Sequence, residues 1–361
     1  RFAKVLKTPE VIALAFGAMI GWSWVLLTGA WLTAAGTVGT LIAFCVGGVA
    51  VTLIGLTYSE LASAMPKAGG EHIYTKRALG SRWSFVCTWA LLFSYINVCM
   101  FEAVALPSAV EYLYPDIRLG TLWNVLDSDV DLGFILIGIG ATALVTWVNY
   151  LGIRTAAILQ AVVTMLIVVT GMLLISGAIA FGDASNAQPW IATPVSGILI
   201  VLIMVPSMLI GFDVIPQSAE EIDLPPNKIG RLLIFSVACA VAWYILIAMA
   251  VGFGLTADAL STTKMATADA AAALWSGSWA GSLLVLGGIG GILTSWNAFI
   301  VGASRVLFAL AESGHVPKVF AKIHPKHKTP YVGILAIGAL TMVAPLFGRT
   351  ILVWLVNSGS F

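Results

Sequence analysis

The 361-residue sequence predicts an all-α transmembrane protein, and three observations carry that reading. The chain is 60% hydrophobic and only 10% charged, against about 25% charged for an ordinary soluble domain, and its mean hydropathy is +0.99. Its apolar residues fall in stretches long enough for a bilayer-crossing helix, which needs about 20 residues. None of them alternates over about ten residues, as the strands of a transmembrane barrel do.

Nine such stretches follow one another at 8–35, 38–65, 83–112, 132–150, 155–181, 194–219, 228–255, 278–310 and 330–346. A tenth runs from 350 to the end as "TILVWLVNSGSF". Twelve residues at about 1.5 Å each cover only about 18 Å as a helix, so the natural chain is expected to continue past Phe361. No linker or soluble domain separates the stretches, and 1–361 reads as a single transmembrane domain.

Charge placement predicts the orientation. With the N-terminus in the cytoplasm, the inner segments hold Arg1, Lys4, Lys7, Lys67, Lys76, Arg77, Arg82, Arg154, Lys228, Arg231, Arg305, Lys318, Lys322, Lys326 and Lys328, fifteen of the eighteen Lys and Arg. Arg118, Lys264 and Arg349 are left outside, beside an acidic set that includes Asp127, Asp129 and Asp183. Such asymmetry puts the basic loops on the cytoplasmic side and predicts a multi-pass protein of the cell's inner, cytoplasmic membrane. A net charge of +1 gives no footprint for nucleic acid. Cys45, Cys87, Cys99 and Cys239 all fall within spans without a CxxC and read as buried apolar-like residues.

Two spans carry interruptions. The first contains "GAMIGWSW" at 17–24, and the sixth contains "VPSMLIGFD" at 205–213, where Pro206 removes a backbone donor and Gly211 loosens the helix. Breaks five spans apart, in halves with an odd number of spans, predict an inverted repeat with its site where the broken helices meet. The repeats would be about 8–181 and about 194–361. The other reading is close helix packing, since "GAMIG" is also a GxxxG.

Four segments resemble the APC superfamily of amino acid, polyamine and organocation transporters: "GAMIG", "YSELASAMPKAGGEHIYTKRALG" at 58–80, "IGFDVIPQSAEEIDLPPNKIGR" at 210–231 and "SRVLFALAESGHVPKVFAKIHPKHKTP" at 304–330. The resemblance implies a five-plus-five inverted-repeat fold with broken helices 1 and 6, with two more helices beyond the end. It also implies secondary active transport of amino acids by alternating access. A polyamine or organocation carrier and a transporter-like nutrient sensor are the alternatives. A channel and a membrane enzyme fit less well, because HExxH, GxSxG and phosphate-loop motifs are all absent. No cofactor or metal is expected.

The same resemblance assigns residues. Gly21, Trp22 and Ser23 match the segment that holds a substrate carboxylate, and carbonyls around Ala18, Met19 and Ile20 match those that take the amine. Charge inside a bilayer is costly unless paired, and a helix break supplies free N–H and C=O groups for it. Trp22 departs from the small residue usual there; it packs on lipid or a neighbouring helix, caps the site, or marks a substrate bound differently.

On span six, Ile210, Gly211 and Phe212 match the broken stretch, with Phe212 as an aromatic gate. Asp213 is either a cap for the following half-helix or a contact for substrate or proton. Tyr95, Cys99 and Glu102 share one face of span three, and Glu102 recognises an amine, titrates during transport or bonds to neighbouring helices. Phe299 is a candidate side-chain contact, and Thr294 and Ser295 offer hydroxyls for a sodium ion or for their own backbone. Some relatives carry a coupling lysine in span five where this chain has Ile167, which leaves protonation of Asp213 or Glu102, or substrate exchange, to drive the cycle. Glu220 and Glu221, at the helix end that disfavours negative charge, either find a basic partner and form an inner gate or are solvated loop carboxylates.

Overall fold

The computed structural model describes residues 2–117, 119–125, 128–263, 265–349, 351 and 355. Arg1, Arg118, Asp127 and Lys264 lie outside the described residues, as does the tenth stretch apart from Ile351 and Leu355, which pack with Val104, Phe134 and Ala344.

In chain order the elements are α1 (Thr8–Met19), α2 (Ser23–Leu26), α3 (Thr28–Ala64), α4 (Glu71–Leu79), α5 (Ser81–Leu113), the strands β1 (Thr121–Val125) and β2 (Ser128–Asp131), α6 (Leu132–Leu151) and α7 (Ile153–Phe181). There follow α8 (Ser196–Met208), α9 (Val214–Gln217), α10 (Pro226–Gly254), α11 (Ala257–Thr262), α12 (Ala266–Leu274), α13 (Ser278–Glu312) and α14 (Tyr331–Thr341). Among the described residues, six helices are long and apolar enough to cross a membrane: α3, α5, α6, α7, α10 and α13.

The expected stretch 8–35 is α1, α2 and the first turns of α3, which bends sharply at Gly36 (φ 75°, ψ 172°) before running on through 38–64. At that bend the Val38 N–H donates to the Trp190 carbonyl (2.9 Å) and the Ala192 N–H to the Ala35 carbonyl (3.0 Å). Stretch 194–219 is likewise split, into α8 and α9. The antiparallel hairpin of β1 and β2, and the short helices α11 and α12, were not foreseen from periodicity. All four lie in segments assigned to the outside.

α13 forms the centre of the molecule. Its most apolar window is 83% buried, against 33–50% for the other long helices. Loops assigned to one side of the membrane gather at one end of the bundle. There the Val5 and Leu6 N–H groups donate to the Glu221 carbonyl (2.9 and 3.0 Å), and the Gly69 N–H donates to the Gln217 carbonyl (3.3 Å). At the other end Trp123 Nε1 donates to the Leu346 carbonyl (2.9 Å) and Thr193 to the Ala34 carbonyl (2.5 Å).

One expectation is corrected. Cys45 and Cys87 are exposed on the bundle surface rather than buried, since a cysteine is apolar enough to face lipid. His72, on α4 in the loop between the second and third spans, is fully buried. Ser84 and Thr88 spend their own protons on the His72 and Ser84 carbonyls (2.8 and 2.6 Å), so both hydroxyls accept from Nδ1–H at 3.0 and 2.9 Å. Nε2 is then the acceptor for the Ser313 hydroxyl at 2.7 Å, which ties α4 to the end of α13. Burial, with Lys76 and His315 adding, pushes His72 down to about 4.

An unfolded histidine titrates near 6.5, so between about pH 6.5 and 4 the unfolded chain binds the proton that the folded chain refuses, and stability is lost as pH falls through that window. In thermal melts His72→Gln is expected to be less stable than wild type at pH 7, and the gap is expected to narrow toward pH 4. A gap independent of pH would contradict the assignment.

Candidate functional site

The site grows from two places where a helix stops inside the bundle. α1 ends at Met19. Ile20 still donates to the Phe16 carbonyl (2.9 Å) but turns away at φ −98°, ψ 74°, and α2 resumes only at Ser23. The stop leaves carbonyls at the end of α1 and N–H groups at the start of α2 without helical partners. α8 ends at Met208, and the chain crosses 209–213 before α9. Gly211 sits there at φ 121°, a conformation open mainly to glycine. A Cβ on it would lie 2.7 Å from the Ala18 Cβ and 2.9 Å from the Ala18 carbonyl carbon, so the two breaks are in direct contact.

Three side chains hold them. Asp213 accepts from the Gly211 N–H at 3.0 Å and from the Tyr95 hydroxyl, so its carboxylate braces the break rather than capping α9. Tyr244 of α10 reaches both breaks: its hydroxyl donates to the Met19 carbonyl (2.9 Å), lies 3.4 Å from the Met208 carbonyl and stands 2.9 Å from the Ser23 hydroxyl. The ring is fixed by stacking on Phe44 at 5.1 Å and edge contact with Trp31 at 5.7 Å.

α13 closes one side with small residues. A Cβ at Gly291 would fall 2.3 Å from the Gly21 carbonyl oxygen and 3.0 Å from that of Ile20, and one at Gly288 would fall 2.4 Å from the Trp22 ring. Trp22 therefore packs on α13 and not on lipid, and is 7% exposed. Gly21 has room around it. The atoms nearest to a Cβ there would be Glu102 Oε1 (3.5 Å) and Ser295 Cβ and Oγ (both 3.6 Å), which are ordinary contact distances. Glu102 is 3% exposed, and its Oε2 has no hydrogen-bond partner among the described residues.

Of the expected residues, Ala18, Met19, Ile20, Gly21, Trp22 and Ser23 form the first break, and Gly211, Phe212 and Asp213 the second. Tyr95, Cys99 and Glu102 are all buried on α5. The Tyr95 ring meets Phe299 at 5.1 Å and Phe212 meets Tyr58 at 5.3 Å, both edge-on. Ile210 departs from the group, its side chain 38% exposed. Thr294 donates to the Gly290 and Gly291 carbonyls of its own helix, at 3.1 Å each. Ile167 packs near Gly290 (3.4 Å from its Cβ position), and span five presents Gln160 and Thr164, not a lysine, to Gly17.

At the loop end, Glu221 binds Arg305 through two contacts, Nε–Oε2 at 2.9 Å and Nη2–Oε1 at 2.7 Å, with both side chains 1% exposed. Glu220 accepts instead from the Ala68 N–H at 3.3 Å. The basic partner was expected for Glu221 but not its source, the last turns of α13. Tyr244, Gly288 and Gly291 were also missed. The one signal for Tyr244 was a tyrosine placed well inside a span, away from the interfaces where this residue is enriched.

A sequence profile described as amino acid permease matches residues 6–361. The chain belongs to the amino acid permease family. Relatives include a branched-chain amino acid permease of Bacillus subtilis, 27% identical over 97% of this chain and 76% of its own length. The human cationic amino acid transporter 4 is 27% identical over 94% of this chain, which spans about half of that relative (54%). A methylthioribose transporter of B. subtilis is 24% identical over 99% of this chain and 78% of its own length. With the apolar helices, this makes the permease a multi-pass membrane protein of the APC superfamily.

Replacing Tyr244 with phenylalanine keeps the stacking and removes the donor to Met19. Losing a buried hydrogen bond this way costs about 1–3 kcal/mol. Tyr244→Phe is expected to lower the melting temperature by several degrees and weaken substrate binding, measured by thermal shift with and without substrate. A melt and affinity equal to wild type would remove Tyr244 from the site.

Proposed function

We propose that this permease is a secondary transporter that carries amino acids across the cytoplasmic membrane, binding them between its two helix breaks. The observation that carries the reading is the contact of Gly211 with Ala18, which brings two sets of helix-end backbone groups to one buried place. Free N–H groups at the start of α2 suit a carboxylate, and carbonyls at the end of α1 suit an ammonium. No water is needed to solvate either charge.

The fold proposed to support this is a five-plus-five inverted repeat, with repeat one at about 8–181 and repeat two from about 194, the broken first and sixth spans lying in equivalent places. Rocking of one bundle against the other would expose the site to each side in turn. Phe212 and the Glu221–Arg305 pair stand on the loop side of the breaks, as an aromatic gate and an inner latch. The basic loops at that end favour a cytoplasmic N-terminus. Coupling is assigned to proton binding or substrate exchange, since span five offers Ile167 and Gln160 rather than a lysine.

Relatives named for branched-chain and for cationic amino acids leave two substrate classes. Glu102 favours the second, because its Oε1 stands beside Gly21 and its Oε2 lacks a partner among the described residues. Uptake and counterflow in proteoliposomes, with leucine, arginine, lysine and glutamate and with pH or sodium gradients, test the reading. No flux with any amino acid would overturn it. A hydrogen bond to a charged group is worth about 1.5–3 kcal/mol, so Glu102→Gln is expected to weaken arginine or lysine at least about tenfold and leucine much less. Equal loss for both would remove Glu102 from recognition.

A further inference from the structure

Glu71 opens α4, in the loop between the second and third spans, yet it is only 6% exposed. The glycines before it let it in: Gly70, at φ 29°, would place a Cβ 3.2 Å from the Pro216 Cβ and 3.3 Å from Gln217 Nε2. The start of α4 thus lies flat on the short helix that follows the second break.

Gln217 Nε2 donates to Glu71 Oε2. The other arm of each planar group, Glu71 Oε1 and Gln217 Oε1, is buried with no hydrogen-bond partner among the described residues. Both orphans are acceptors, and they belong to two groups already joined along one edge. A proton on Glu71 Oε1 would let it donate to Gln217 Oε1 and complete the two-armed pair that a carboxylic acid makes with an amide. Turning the amide over exchanges the arms and leaves the same need for one proton.

Among the described residues, the surroundings offer no compensating positive charge. Glu71 faces Tyr74 on its own helix, Tyr58 on α3, whose hydroxyl is a further donor to the carboxyl, Tyr95 and Cys87 on α5, and Asp213 at the break. Among the described residues, no lysine or arginine forms an ion pair with it. Burial holds its carboxyl well above the usual carboxylate range, and the charge of Asp213 raises it further.

We propose that Glu71 is a proton-binding site of this permease, protonated and paired with Gln217 while the loop end of the bundle is closed. The site stands on its own geometry; its part in transport rests on the function proposed above. When α4 parts from α9, water reaches the carboxyl, the pairing is lost and the proton leaves to the loop side. Return of the proton accompanies closure. The link to the substrate site runs through four residues of chain, from Gln217 back to Asp213.

Infrared difference spectra of the purified protein at pH 7 test this without any substrate. Wild type is expected to show a protonated-carboxyl C=O stretch that is lost in Glu71→Gln and displaced in Gln217→Leu, which removes the amide but keeps the acid. Loss of an ionised carboxylate band in Glu71→Gln would overturn the proposal. So would disappearance of the protonated band when sodium chloride replaces potassium chloride at constant pH, which would make the pocket a sodium site. In proteoliposomes, arginine or leucine counterflow by Glu71→Gln is expected to lose most of the wild-type dependence on loop-side pH, varying less than about twofold between pH 6 and 8. If no amino acid is moved while the infrared band is present, the transport reading fails and the proton site remains.

Discussion

A backbone group without a partner costs several kcal/mol in an apolar interior, and this structure interrupts two helices there. Everything near the breaks answers that constraint. Asp213 takes the Gly211 N–H, Tyr95 holds Asp213, and one tyrosine hydroxyl on α10 serves the Met19 carbonyl and reaches that of Met208. The backbone groups that remain at the start of α2 and the end of α1 are those a substrate with a carboxylate and an ammonium would complete.

Such an arrangement requires close approach, and α13 provides it. Gly288 and Gly291 share one face of that helix, three residues apart, and remove the side chains that would otherwise collide with Trp22 and with the Ile20 and Gly21 carbonyls. In a bilayer there is no hydrophobic drive between helices, so packing of small residues carries association. The bulky residues of "GWSW" are therefore consistent with the glycines beside them. Trp22 fills the space over Gly288, and Trp24 is fully buried, edge-on to Trp243 at 5.5 Å. A bulky residue in the break is matched by a missing side chain on the helix it faces.

Spans and breaks were legible because they are local. Apolar length marks a helix that can cross, and Gly or Pro in such a run marks where it stops. Tyr95, Cys99 and Glu102 could be grouped by helical spacing alone. What could not be read depends on partners far apart in sequence: Tyr244 lies 225 positions from Met19, Arg305 lies 84 from Glu221, and Glu71 meets Gln217 across 146. The burial of His72 and Glu71 was out of reach for the same reason, since a polar loop shows its covering elements only in the fold. The direction of a side chain such as Ile210 is also a tertiary property, set by how the segment after α8 turns.

The central claim is that the open backbone at the first break is where substrate binds. Gly21 tests it directly, because a Cβ there sits at ordinary contact distance from its nearest neighbours, the side chains of Glu102 and Ser295. The decisive measurement is equilibrium binding of a transported amino acid to purified, monodisperse Gly21→Leu. Binding is expected to be abolished while the melting temperature stays within a few degrees of wild type. Normal affinity in that folded variant would contradict the account.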